Sequence, residues 1–87
     1  MAHDGPRPNR ALLRFEYDDE RRARIVERSV GVEVGEIDDA RSAATVERDG
    51  RSVAVRVSAA DLVALRAGVN SWTRMVSVAE RTIDAAE

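Results

Sequence analysis

The sequence has 87 residues, enough for one small domain with a single hydrophobic core. It contains no cysteine, which excludes disulfides, thiolate metal sites and thiol nucleophiles. Its 16 acidic residues outnumber 14 basic ones, all arginine, and the net charge of −2 argues against a domain that holds nucleic acid by itself.

The first residues, "MAHDGPRPNR", hold both prolines and show no hydrophobic periodicity. We therefore predict a flexible tail over residues 1–10 and a single domain over residues 11–87. The following "ALLRFEYD" alternates between apolar and charged residues, with Leu13, Phe15 and Tyr17 on one face. This alternation predicts a half-buried first strand.

A helix is predicted next, because Asp18 and Asp19 offer N-cap chemistry and Gly31 can end it. Its apolar stripe has helical spacing: Ala23, Val26 and Val30. Residues 31–41, "GVEVGEIDDAR", predict a connecting loop with a short extended piece at residues 32–34.

A β-hairpin is the clearest local signal, since Asp49-Gly50 is typical of a two-residue type I′ turn. That turn would place Arg48 opposite Arg51, and the pairs behind it would be Val46 with Val53 and Ala44 with Val55. The pattern then gives one buried face to five small apolar residues: Ala44, Val46, Val53, Val55 and Val57. The other face is mostly polar.

A long amphipathic helix closes the chain. Ser58 begins "SAAD", which resembles a capping box with Asp61 at the third position. The apolar stripe of the helix has steps of three and four: Leu62, Leu65, Val69, Trp72, Val76, Ala79 and Ile83.

The predicted fold class is therefore α+β, with the order β-α-β-β-α in two layers. Placing the third strand between the first two makes a three-stranded antiparallel sheet with both helices packed on one face. Two edge strands remain, and each must be protected or pair with another chain.

A second row of small or flexible residues runs beside the stripe of the long helix: Ala64, Gly68, Ser71, Met75 and Val78. Ile25 and Ser29 widen the apolar surface of the first helix. Together these rows give the helices more apolar surface than one small sheet can cover. Gly68 costs about 1 kcal/mol relative to alanine inside a helix. A close approach would explain it, made either by a partner's helix or by the first helix of the same chain.

A polar line at helical spacing is formed by Arg66, Asn70 and Arg74. Such a line is ordinarily solvated, but the Asn70 amide can also bond a partner's backbone or the loop before the second strand. The candidate interface residues are Ile25, Ser29, Ala64, Gly68, Asn70, Ser71, Arg74, Met75 and Val78.

The stretch "ALRAGVNSW", residues 64–72, follows a hairpin and "SAAD". In this position it resembles the second-helix signature of the CTAG/Pcc family, the small Pcc-type subunits of the KEOPS complex. The resemblance extends from about residue 11 to residue 83, including the "ERSV" end of the first helix.

The resemblance implies a non-catalytic dimerisation subunit. KEOPS transfers a threonylcarbamoyl group to the adenosine next to the anticodon of tRNAs that read A-starting codons. The chemistry belongs to an ATP-using, metal-containing subunit of the Kae type. A Pcc-type subunit packs its two helices on a helix pair of that subunit, and a second copy or a related small subunit joins two assemblies. Contact with tRNA would be indirect or weak.

The residues themselves argue against an enzyme, because the only histidine, His3, lies in the tail and no glycine-rich phosphate loop follows a strand. We expect no catalytic residue, cofactor or metal site. No apolar run has the length of a signal sequence or a membrane span, so a cytoplasmic protein without a membrane partner is expected. The alternative function is a small RNA-binding accessory domain that contacts tRNA directly, although the hairpin lacks the aromatics of an RRM.

Overall fold

The protein forms two layers, a three-stranded sheet and two helices, in a computed structural model that describes residues 7–35 and 41–86. The elements are β1 (Asn9–Glu16), α1 (Glu20–Gly31), β2 (Ser42–Asp49), β3 (Ser52–Ala59) and α2 (Leu62–Ala86). The strand order is β1-β3-β2, and both neighbouring pairs are antiparallel. Both helices share one core with a single face of the sheet. The predicted α+β fold, with β3 in the centre, is confirmed.

The first strand begins earlier than the sequence predicted. Asn9 pairs with Ala59 and Arg10 with Ser58, so two residues of the predicted tail belong to the sheet. The Asn9 side chain also donates to the Ala60 carbonyl, at 3.2 Å, which holds the strand's first residue in place. Residues 1–6 of that predicted tail lie outside the described residues.

The predicted N-cap of α1 is confirmed, whereas the C-cap is Val32 in the αR conformation and not Gly31. The Asp19 carboxylate accepts a hydrogen bond from the Arg22 N–H at 2.8 Å, and the helix ends at Gly31. The extended piece predicted at residues 32–34 is wrong. The Glu33 and Val34 N–H groups instead donate to the carbonyls of the residues three positions earlier, at 3.0 and 3.2 Å, so the chain turns in helical fashion. Residues 36–40 of the predicted loop lie outside the described residues.

The hairpin forms, but its register differs by two residues from the predicted one. Asp49 lies opposite Ser52, and the following apolar pairs are Val46 with Val55 and Ala44 with Val57. The turn residues are therefore Gly50 and Arg51. Gly50 has φ of 61°, and no described non-glycine residue has positive φ. Positive φ at the first turn position alone matches type II′, whereas type I′ requires it at both.

A shift of two residues leaves each side chain on its predicted face, because side chains alternate with a period of two. Val53, Val55 and Val57 are buried together with Ala44, as expected, and Val46 packs at the margin of the same core.

The start of α2 is capped by Asp61, not by Ser58 as predicted. Ser58 lies within β3, which continues to Ala59, whereas the Asp61 carboxylate accepts a hydrogen bond from the Ala64 N–H at 2.8 Å. Arg41 forms an ion pair with the same carboxylate. The Ala64 N–H first, and then the Arg41 guanidinium, hold the pKa of Asp61 below its usual value.

Only the C-terminal part of the predicted α2 stripe is buried: Trp72, Val76, Ala79 and Ile83. Leu65 and Val69 are half-buried, and Leu62 is 68% exposed. A helix of 25 residues is about 37 Å long, whereas a strand of 8 residues spans about 26 Å. The first turns of α2 therefore extend beyond the sheet that was expected to cover them.

Polar contacts fix the opposite end of α2. The Tyr17 hydroxyl donates to the Glu80 carboxylate at 2.7 Å, and Arg22 forms an ion pair with Asp84. Burial, and then the Glu80 carboxylate, raise the pKa of Tyr17, so the phenol stays neutral and remains a donor. The C-terminal half of α2 is thus tied to the end of β1 and the start of α1.

The capping role of Asp61 predicts a defined pH dependence. A carboxyl group whose folded-state pKa is lowered stabilises the protein above its unfolded pKa, and this stabilisation is lost as the pH falls through the folded-state pKa. We expect Asp61→Asn to reduce the free energy of unfolding at pH 7, and the difference from wild type to vanish as the pH falls from about 5 to about 2.

Urea denaturation at several pH values measures this difference. Asp61→Ala serves as the comparison, because asparagine keeps the cap and alanine removes it. The Asp61→Ala variant should remain less stable than the Asp61→Asn variant at every pH. If the free energies of unfolding of the wild type and Asp61→Asn differed by the same amount at pH 7 and pH 2, the capping role of the Asp61 carboxylate would be contradicted.

Candidate partner interface

A groove of about 400 Å³ lies between the two helices on the outside of the helical layer. It is lined by Ser29, Val30 and Glu33 of α1 and by Arg74, Met75, Val78, Ala79 and Thr82 of α2. Among its lining residues, Val30 and Ala79 are buried in the core, whereas Ser29 and Val78 are exposed.

The floor and the rim of this groove differ in chemistry. Met75 packs partly against the core, and Val78 remains 49% exposed. Ser29 and Arg74 are exposed at the rim. An apolar floor with polar groups around it is the usual composition of a protein interface, and an unbranched methionine adapts its shape to a partner.

Four of the nine predicted interface residues line this groove: Ser29, Arg74, Met75 and Val78. Ile25 is half-buried and packs on the core of its own chain. Asn70 is exposed elsewhere, in a second depression of about 270 Å³ with Leu62, Val63, Arg66 and Ala67. Ala64, Gly68 and Ser71 are half-buried, and their spacing of three and four places them on one side of α2.

Gly68 faces the chain's own sheet. A Cβ atom at this position would lie 2.9 Å from Cγ1 of Val57, closer than non-bonded carbon atoms approach each other. The glycine therefore lets α2 rest on β3. The sequence left open a partner's helix or the first helix as the approaching element, and the structure shows the sheet. A contact of Gly68 with a partner stays a prediction.

The exposed start of α2 was not predicted from the sequence. Leu62 is 68% exposed and Val63 is 74% exposed, although Leu62 was assigned to the buried stripe. The sequence does contain a signal for this exposure, because the predicted helix is longer than the predicted strands that it packs against. Glu33 and Thr82 of the groove were also missed, because a pattern within one helix does not show which of its residues lie beside the other helix.

A metal centre and a membrane-spanning helix are not seen in residues 7–35 and 41–86. Histidine, aspartate and glutamate do not gather there in groups of three that could hold a metal ion. Within the same residues, no helix combines the length and the apolar character needed to cross a membrane.

The fold and the groove describe a small α+β domain that presents a helix pair. Residues 10–84 match the family described as transcription factor Pcc1, and the chain belongs to this family. The resemblance inferred from residues 64–72 is thereby confirmed.

A chain in the crystal structure of a Gon7–Pcc1 binary complex has the same fold. The TM-score is 0.84, the identity is 16%, and the alignment covers 94% of this chain and 100% of that one. At this identity the likeness shows the fold alone. No curated protein matches the chain.

The contact at Gly68 can be tested by a double-mutant cycle. Gly68→Ala gains about 1 kcal/mol of helix propensity but forces a methyl group against buried, β-branched Val57, which costs about 1–3 kcal/mol. We expect a net loss of about 1 kcal/mol in the wild type. In a Val57→Ala background the same change should stabilise by up to about 1 kcal/mol.

Urea denaturation of the four proteins gives the coupling energy. Asn70→Ala is the matched control, since this residue is exposed on the same helix, and it should stabilise equally in both backgrounds. If the Gly68→Ala substitution stabilised the protein equally in the wild-type and Val57→Ala backgrounds, the close packing of Gly68 on Val57 would be contradicted.

Proposed function

We propose that this protein is a non-catalytic scaffold and dimerisation subunit of a cytoplasmic KEOPS complex. In this role it supports threonylcarbamoyl transfer to the adenosine next to the anticodon of tRNA by docking its helices on the catalytic subunit. Membership of the Pcc1 family and the likeness to a chain of a Gon7–Pcc1 complex support a KEOPS-related scaffold role. The observation that carries the proposal is the apolar groove left open between α1 and α2.

The groove suits a helix of the Kae-type catalytic subunit. A helix that lies in a groove inserts side chains spaced by three and four residues, and Met75 and Val78 offer them an apolar floor. Two helices of the partner beside α1 and α2 would form a four-helix arrangement. Such packing buries on both sides surface that neither subunit can cover alone.

The start of α2 presents a second exposed surface, separate from the groove. Leu62 and Val63 are exposed apolar side chains, and Arg66 and Asn70 lie beside them with unburied polar groups. A partner that reaches around α2 beyond the groove would contact this segment as well. The apolar residues would then add buried area, and the polar ones would fix the orientation.

A second contact would be made by the sheet, through a second copy of the chain or a related small subunit. The helical layer covers only one face of the sheet, and β1 and β2 are its two edge strands. Because the helix surface and the strand edges lie on different parts of the fold, one subunit can join two catalytic assemblies.

Direct tRNA binding by this chain alone is the weaker candidate. On the open face of the sheet Arg10, Arg14 and Arg56 are balanced by Glu16, Glu47 and Asp49. The strand aromatic residue, Phe15, lies on the helix-facing side, where it packs on the core and offers no stacking platform. We therefore assign tRNA contact mainly to the other subunits.

Co-purification with a Kae-type catalytic subunit tests the proposal. The two proteins should elute together in gel filtration, and leaving this chain out of a reconstituted complex should lower tRNA modification. Val78→Glu places a charge on the apolar floor of the groove and should weaken the complex by about tenfold or more.

Val32→Glu is the matched control, because Val32 is exposed in the turn after α1 and does not line the groove. It should bind like the wild type. Both variants should keep the wild-type melting temperature. Separate elution of the two wild-type proteins would refute the scaffold role, and equal losses in both variants would refute the groove as its site.

A further inference from the structure

We propose that the open face of the sheet binds a small organic phosphate in a depression of about 440 Å³ near the start of β1. The ligand class is a nucleoside monophosphate or a compound of similar size, with one phosphate group and a flat or apolar body. The inference goes beyond the scaffold role and does not depend on it. Its basis is the depression, the position of two arginines in it and the distribution of charge along the sheet.

The depression lies on the side of the sheet that the helices leave uncovered, and all three strands contribute to it. The register places its six open-face side chains in two rows across the sheet: Arg10, Ser58 and Ala43, then Leu12, Arg56 and Thr45. Its volume falls in the range of about 300–1,000 Å³ that is usual for small-molecule sites. The size therefore suits a mononucleotide.

Two arginines of the depression are placed to bind one phosphate together. Arg10 and Arg56 lie on neighbouring strands in adjacent rows, so they are diagonal neighbours on the same face. Such neighbours are about 7–8 Å apart, a distance that long side chains can bridge. Both side chains are exposed. Because a planar guanidinium binds phosphate oxygens through two parallel N–H groups, the pair can hold a phosphate between them.

Neither arginine is held in a strong contact within the chain. Within residues 7–35 and 41–86, no carboxylate pairs with Arg10. Nε of Arg56 lies 3.6 Å from Oε1 of Glu47, and both of these side chains are exposed. An ion pair of this kind contributes little, and a contact at Nε leaves the two terminal amino groups of the guanidinium to other acceptors. An incoming phosphate therefore displaces no buried interaction.

The rest of the lining favours an organic phosphate over an inorganic one. The Ser58 hydroxyl contacts the Ala43 carbonyl at a long distance of 3.5 Å, so it can turn to a phosphate oxygen, and the Thr45 hydroxyl is exposed in the next row. Leu12 is 46% exposed beside these groups. A flat ring placed on Leu12 would cover this apolar surface and stack on a guanidinium plane, as nucleobases do on arginine.

The distribution of charge along the open face favours a compact ligand over a chain of phosphates. The two rows of the depression extend only about 7 Å along the strands and contain no acidic residue. The next two rows, towards the hairpin turn, hold Glu47 and then Glu16 and Asp49. A nucleic-acid backbone running along the strands would meet these carboxylates, and like charges repel. The balance of charge that argues against tRNA thus leaves room for one small anion.

Titration of the full chain with uridine monophosphate, followed by nuclear magnetic resonance, tests the site. The backbone amide signals of Thr45 and Ser58 should shift and saturate with a dissociation constant of about 1 mM or lower. Those of Met75 and Val78, in the groove between the helices, should stay unchanged. Uridine and inorganic phosphate should each bind at least about tenfold more weakly, because each fills only one part of the depression.

Substitutions of exposed residues separate the two parts of the site. Arg10→Gln and Arg56→Gln should each weaken binding of uridine monophosphate by about tenfold, because each removes charged donors to the phosphate. Leu12→Ser should weaken the nucleotide by about threefold and leave inorganic phosphate unchanged. Arg14→Gln is the matched control. It removes the same charge from the same face of β1 but does not line the depression, so binding should change by less than about twofold.

Absence of saturation up to about 10 mM uridine monophosphate would overturn the inference. So would an affinity that Arg10→Gln and Arg56→Gln leave unchanged, or one that Arg14→Gln lowers as much as they do. An RNA of about ten nucleotides that binds more than about tenfold tighter than the mononucleotide would also overturn it, since the face would then bind a phosphate chain. None of these measurements involves the catalytic subunit, so the scaffold role is tested separately.

Discussion

The close packing of α2 on β3 determines the rest of the structure. Because Gly68 has no side chain, the helix lies directly on Val57, and this sets its rotation about its axis. Trp72, Val76, Ala79 and Ile83 then point into the core. The same rotation turns Met75 and Val78 towards α1, where they form the floor of the groove. A single missing methyl group thus links the stability of the fold to the placement of its candidate interface.

The two ends of α2 differ in burial because the helix is longer than the strands of the sheet. Tyr17 and Arg22 hold the C-terminal half through Glu80 and Asp84, whereas the first turns pass the end of the sheet. With no second layer available in so short a chain, apolar residues there stay exposed. The Asp61 cap holds the start of α2, and the contacts of Glu80 and Asp84 hold its other end, so the helix is formed before it meets a partner. Binding then requires little loss of conformational entropy.

The faces of the strands could be predicted from the sequence because they depend only on parity, which a register shift of two residues does not alter. The register itself depended on the backbone of Gly50, where one positive φ selected a different turn from the one that Asp49-Gly50 indicates. The interface was predicted in part. Helical spacing identified Met75 and Val78 as surplus apolar residues, but it could not show that Gly68 faces Val57, since that contact joins elements far apart in sequence.

An identity of 16% at a TM-score of 0.84 indicates how little of the sequence the fold itself requires. The core consists mostly of valine and alanine at alternating or helical spacing, and hydrophobic residues of suitable size can replace one another there at small cost. Specificity for a partner must then come from positions that the pattern leaves free. In the proposed scaffold role these positions would include the groove rim residues Ser29 and Arg74. Because both side chains are exposed and outside the core, changes at these positions leave the fold intact, so the proposed partner contact can evolve independently of the fold.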